Sequence, residues 1–149
     1  MSVVVPDASV LLKWVLSGPE EDDQAAALEL RDRAIREEIE LAVPSLWLFE
    51  VGNLLARRIP GEAPALLAAL VDFGLREPPL TEEWRLRALA LTGSYGVTFY
   101  DAAYHALALV LGGVFVTADA RYLGRAGAAG SVVQLSRFRQ QLPAPPDSI

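Results

Sequence analysis

Short apolar runs rich in β-branched residues alternate with helical stretches along this chain. That alternation limits the fold more than any other feature. Val3–Val5, Leu41–Val43, Leu75–Glu77, Val114–Thr117 and Val132–Leu135 read as strands. Between them the apolar spacing predicts helices over Ala8–Leu16, Asp22–Glu38, Ser45–Arg58, Glu62–Phe73, Thr81–Tyr95, Thr98–Leu111 and Asp119–Arg125. Ser45, Thr81 and Thr98 are the expected caps. Strands that alternate with helices build a parallel sheet covered on both faces. The expectation is an α/β fold of three layers, with about five parallel strands in the order 3-2-1-4-5. Ligands of such sheets bind beyond the carboxyl ends of the strands, where the order reverses. The strands ending before Asp7 and Asp119 would be neighbours at that point.

At 149 residues the chain is expected to form one domain. Residues 1–142 would make up the domain and 143–149 a loose tail. The chain has no cysteine, which rules out disulfides and thiolate metal sites and fits a reducing cytoplasm. Met1–Ser9 lacks the basic head of a secretory leader. The longest uncharged run, Ala102–Ala118, has 17 residues and is broken by Gly112-Gly113. It is shorter than the ~20 residues a membrane span needs. Net charge is −6, which argues against a general nucleic-acid binder. Yet 12 of 13 basic residues are Arg, and several are close together: Arg57 with Arg58, Arg121 with Arg125, Arg137 with Arg139. That leaves room for one local basic rim.

Four carboxylates stand out. Asp7 and Asp119 each follow a strand and precede a helix, so each reads either as a helix cap or as a ligand. Asp101 is three residues after Thr98, the spacing of a capping box. Glu50 interrupts an apolar helical row that includes Leu46, Trp47 and Leu54. A buried Glu needs a partner or a cation, and Arg57 is one candidate partner. Carboxylates gathered without a cation repel. At ~4 Å each pair costs about 1 kcal/mol in water and several at an effective dielectric near 20. An all-oxygen cluster suits Mg2+ or Mn2+, and such ions hydrolyse phosphodiesters by activating water and stabilising phosphate charge. His105, one turn after Asp101, would pair with that Asp, assist the site or be a buried helix residue. Ser9 and Thr117, two residues from Asp7 and Asp119, would orient carboxylates or make turn hydrogen bonds.

The stretches "VVVPDASVLLKW", "PSLWLFEVGNLL", "VTFYDAAYHALAL" and "VFVTADARYL" resemble, in order and spacing, the four acidic motifs of PIN-domain ribonucleases. The likeness is closest to the VapC-type toxins of toxin–antitoxin pairs and runs over residues 3 to 136. It implies a metal-dependent endoribonuclease with Asp7, Glu50, Asp101 and Asp119 as the Mg2+ or Mn2+ site. Asp7 and Asp101 would be the most direct ligands. It also implies a homodimer and a small cognate antitoxin. The apolar residues of Ser45–Phe73, among them Trp47, Phe49, Leu54, Leu55, Leu66, Leu67 and Leu70, point to a dimer surface as well. Phe99 departs from the pattern, which has a small residue there. Alternatives are a processing nuclease that is no toxin, or a non-catalytic RNA-binding or scaffold module. A haloacid-dehalogenase-like phosphatase needs an Asp where Ser9 stands and a late Lys. The only Lys is Lys13.

Overall fold

The computed structural model describes residues 1–18 and 22–138. Four strands form one sheet: β1 (Ser2–Pro6), β2 (Ile39–Leu41), β3 (Val114–Thr117) and β4 (Val132–Gln134). All pairings are parallel and the order is β2-β1-β3-β4. The register sets Val4 opposite Val114 and Pro6 opposite Val116, so β1 and β3 end side by side.

The helices are α1 (Ala8–Leu12), α2 (Gln24–Ile35), α3 (Trp47–Arg58), α4 (Ala63–Phe73), α5 (Glu82–Tyr95), α6 (Phe99–Leu111) and α7 (Ala120–Ala126). Helices α1 and α6 both pack on β1 and β3, α2 on β2, and α7 on β4. Successive strand residues point to opposite faces. Val4 and Val5 are both fully buried, and so in effect are Phe115 and Val116. Both faces of the central strands are therefore covered, as a parallel sheet requires.

The expected fifth strand is corrected. Leu75–Glu77 reduces to a single parallel bridge between Ala42 and Arg76, closed by the Val43 N–H on the Arg76 carbonyl at 2.9 Å. Pro78 and Pro79 follow at once and supply no amide donors to extend it. The bridge lies beside β2, where strand 3 was expected, so the adjacency of β1 and β3 is unaffected.

Thr81 and Thr98 cap α5 and α6, accepting from the N–H of Trp84 (3.2 Å) and of Asp101 (3.1 Å). Ser45 does not cap α3. That helix starts at Trp47 without a side-chain cap, out of a turn in which the Trp47 N–H bonds the Pro44 carbonyl at 3.0 Å. The uncharged run Ala102–Ala118 divides into α6 and β3, and α6 stops at Gly112 with φ +66°. Among the described residues no helix is long and apolar enough to cross a membrane. The expected tail, 143–149, and its boundary lie outside the described residues, as does Arg139.

Candidate active site

All four acids lie at helix N-termini. Asp7 is the N-cap of α1 and Asp119 that of α7; Glu50 and Asp101 are in the first turns of α3 and α6. Free N–H groups and the positive end of the helix dipole favour carboxylates there. The fold thus gathers negative charge where its backbone best tolerates it.

Asp7 is the most constrained. Its Oδ1 accepts from the Ser9 hydroxyl at 2.5 Å and from the Val10 N–H at 3.1 Å. Its Oδ2 accepts from the Thr117 hydroxyl at 2.5 Å. Burial still pushes this carboxyl above its ordinary value. The three donors pull it down, and the charge of Asp101 adds to the rise.

Glu50 is half-buried, and its Oε1 accepts from the Tyr104 hydroxyl at 2.6 Å. The structure thus gives the carboxylate that interrupts the apolar row a phenol partner from α6, while the candidate partner Arg57 is exposed. Burial raises Glu50 first, opposed by the Tyr104 hydrogen bond and assisted by the charges of Asp101 and Asp7. Burial also raises Asp101, with Asp119 adding to the rise against a Thr98 hydrogen bond. Asp7, Glu50 and Asp101 therefore each feel at least one other of the four acids.

Asp119 is exposed and acts as a helix cap. Its Oδ1 accepts from the N–H groups of Arg121 (2.9 Å) and Tyr122 (3.3 Å), and its own N–H bonds Thr117 Oγ1 at 3.0 Å. Oδ2 takes part in neither cap bond. Asp101 and Asp119 line a cleft of about 210 Å3 with Thr98, Arg121 and Arg125. Arg121 and Arg125 thus form a basic rim beside the acids. A second, apolar groove of about 420 Å3 meets the first turn of α6 at Phe99 and Tyr100, with Leu46, Pro78, Leu80 and Trp84 as further walls.

His105 does not join this centre. It is fully buried. Its Nε2 lies 2.7 Å from the Gly130 carbonyl and its Nδ1 2.6 Å from the Tyr122 hydroxyl. A carbonyl only accepts, so Nε2 carries the proton and Nδ1 accepts from Tyr122. Burial holds this imidazole below its usual value. The buried-helix alternative is the one observed, and the contact fastens α6 to α7.

Tyr104 is the residue that sequence reasoning passed over. Its ring is core, with 1% exposure. Its hydroxyl reaches the acids, and burial together with Glu50, Asp7 and Asp101 drives its pKa far above the usual phenol value. The only signal in the sequence was its place three residues after Asp101, on a neighbouring position of the same helix.

An all-oxygen donor set matches a hard divalent ion in chemistry. The side chains stand apart, however. Among the described residues no three acidic or histidine side chains are grouped closely enough to hold an ion. The arrangement is a set of oriented, mutually repelling carboxylates rather than a closed coordination shell.

No curated protein matches this chain. Among solved structures it is similar to the crystal structure of PAE2754 from Pyrobaculum aerophilum. The TM-score is 0.66 and the identity 24%, over 95% of this chain and 97% of that one. At that identity the likeness speaks to the fold. The PIN domain family model matches residues 4–128, a span that runs from within β1 past the end of α7 and includes all four acids. PIN domains are typically nucleases and generally bind divalent metal ions. By sequence match over most of its length, and with a fold that agrees, the chain belongs to the PIN domain family.

Proposed function

We propose that this chain is a metal-dependent endoribonuclease, with Asp7, Glu50, Asp101 and Asp119 as its acidic centre. The observation that supports this reading is that adjacent strand ends and helix N-termini bring the acids within electrostatic reach: Asp101 bears on Asp7 and Glu50, and Asp119 shares a cleft with Asp101 and bears on it. A helix cap or a lone buried acid needs no such company. Mg2+ or Mn2+ held by these side chains would supply an activated water and stabilise charge on the phosphate. Ser9 and Thr117 fix both oxygens of Asp7. Arg121 and Arg125 line the cleft shared by Asp101 and Asp119, where a polyanion's phosphates would be drawn against the net negative charge of the chain.

Within this reading the finer assignment is the toxin of a toxin–antitoxin pair, working in the cytoplasm with a small protein antitoxin. Its support is the likeness of the four motifs. A homodimer is proposed too, on a smaller part of the expected surface. Trp47, Leu55 and Leu70 are core, and Leu54, Leu66 and Leu67 pack against it. Within Ser45–Phe73 the exposed large apolar side chains are Phe49 on α3 and Val71 on α4, and Leu86 and Leu89 on α5 are exposed as well.

The test is cleavage of a labelled RNA by purified protein with Mn2+ or Mg2+ and with chelator. Asp7→Asn and Asp101→Asn should each lower the rate by orders of magnitude with the fold intact. Undiminished cleavage by either variant, or full activity in chelator, would sink the assignment.

A further inference from the structure

We propose that Tyr104 is a positioning residue, whose hydroxyl holds Glu50 in the orientation from which it serves the acidic centre. This rests on the nuclease reading above and adds a residue to it.

Glu50 and Tyr104 come from helices that find their main packing elsewhere. Helix α3 packs on α4 and α1, whereas α6 packs on α5, β1 and β3. The 2.6 Å hydrogen bond joins the two across 54 positions of sequence. Its donor is rigid. The Tyr104 ring is buried and lies stacked near Phe115 of β3, with centroids 6.1 Å apart and planes 22° from parallel. Its acceptor is not rigid in itself: Glu has three rotatable side-chain bonds, and Glu50 is only half-buried. A free Glu50 would turn away from Asp7 and Asp101, whose charges repel it. The phenol opposes that rotation. It takes up Oε1 and leaves Oε2 available to the centre. A neutral donor suits this task, because it draws the carboxylate in without neutralising the charge needed for a cation. Outer hydrogen-bond partners of metal ligands commonly work in this way.

The experiment is calorimetric titration of metal-stripped protein with MnCl2, comparing wild type, Tyr104→Phe, Glu50→Ala and the double variant. Phenylalanine keeps the ring and removes only the hydroxyl. Tyr104→Phe is expected to weaken Mn2+ binding about 10–100-fold, and to add nothing further in the Glu50→Ala background. Wild-type affinity in Tyr104→Phe would overturn the inference while leaving the metal reading in place. An undiminished loss on adding Tyr104→Phe to Glu50→Ala would also overturn it, since Tyr104 would then act through packing rather than through Glu50. A wild-type protein that binds no Mn2+ would remove the nuclease reading and this inference with it.

Discussion

The Thr117 hydroxyl donates to Asp7 Oδ2 at 2.5 Å and so joins the ends of β1 and β3 through side chains as well as through the sheet. Thr117 Oγ1 in turn accepts from the Asp119 N–H at 3.0 Å. One buried hydroxyl thus orients the first acid and starts the turn that presents the last.

Thr117→Val keeps the shape and deletes both bonds. It leaves Asp7 Oδ2 short of a donor and the Asp119 N–H short of an acceptor. The expected destabilisation is about 1–3 kcal/mol, measured by urea denaturation in chelator. A variant as stable as wild type would show that this hydroxyl matters to neither group.

Asp119→Asn tests charge apart from capping. Asn caps as well as Asp, so the bonds to Arg121 and Tyr122 should survive. What disappears is the charge that raises Asp101. Because Asp119 is exposed, solvent screens the effect, and the gain in stability without metal should be a few tenths of a kcal/mol. Mg2+ should then stabilise wild type more than the variant. Thermal melts of both proteins, each with Mg2+ and with chelator, check this. Equal responses to Mg2+ would leave Asp119 as a cap alone.

Three of the acids and His105 should push stability in opposite directions with pH. Asp7, Glu50 and Asp101 have folded pKa values above their unfolded values near 4. Below that pH they are protonated in both states and cost nothing. As pH rises from about 4 through the folded values, the unfolded chain ionises first and stability falls. His105 has a folded pKa below its unfolded value near 6.5. Its contribution is complete above that pH and is lost as pH falls through the folded value. His105→Gln should therefore gain more stability, or lose less, than wild type between pH 7.5 and pH 5, each relative to its own pH 7.5 value. Comparing the two proteins cancels other acids, such as Glu38, held low by its hydrogen bonds to Arg36. Parallel pH profiles in metal-free urea melts would contradict the His105 component.

Gly113 has no room for a side chain. A Cβ there would lie 2.3 Å from the Val3 carbonyl oxygen and 2.9 Å from Val3 Cβ. Val3 belongs to β1, so Gly113→Ala has to displace the strand that leads into Asp7. The expected loss is at least the ~1–3 kcal/mol of an overpacked core, read as a lower urea midpoint. An unchanged midpoint would show that β1 yields freely.

Local chemistry made much of this legible. Thr81, Thr98 and Asp119 cap because their side chains bond amides two or three positions away, and such short links are written in the sequence. Val114–Thr117 was legible as a strand because a glycine pair precedes it and an acid cap follows. Ser45 misled because the Pro44 carbonyl, not the serine hydroxyl, makes the entering turn. Leu75–Glu77 has strand-like residues, but the two prolines after it leave one bridge. The apolar side chains of α3 and α4 gave no sign of how many the core would absorb. Tyr104 was hidden for a related reason. Its ring reads as core, and the partner of its hydroxyl lies on another helix 54 positions earlier.

The parallel pairing of β1 with β3 also governs what happens while the chain is being made. Strand β1 can meet β2 once residue 41 has been synthesised, but its pairing with β3 begins at Val114. At about 5–20 residues per second, a ribosome needs about 4–15 s to cover that interval. Throughout it Asp7 has neither Thr117 to orient it nor Asp119 beyond it. The backbone edge of β1 that β3 will cover stays unpaired, and open strand edges are what chaperones guard. The four acids can therefore come together only after Asp119 has been made.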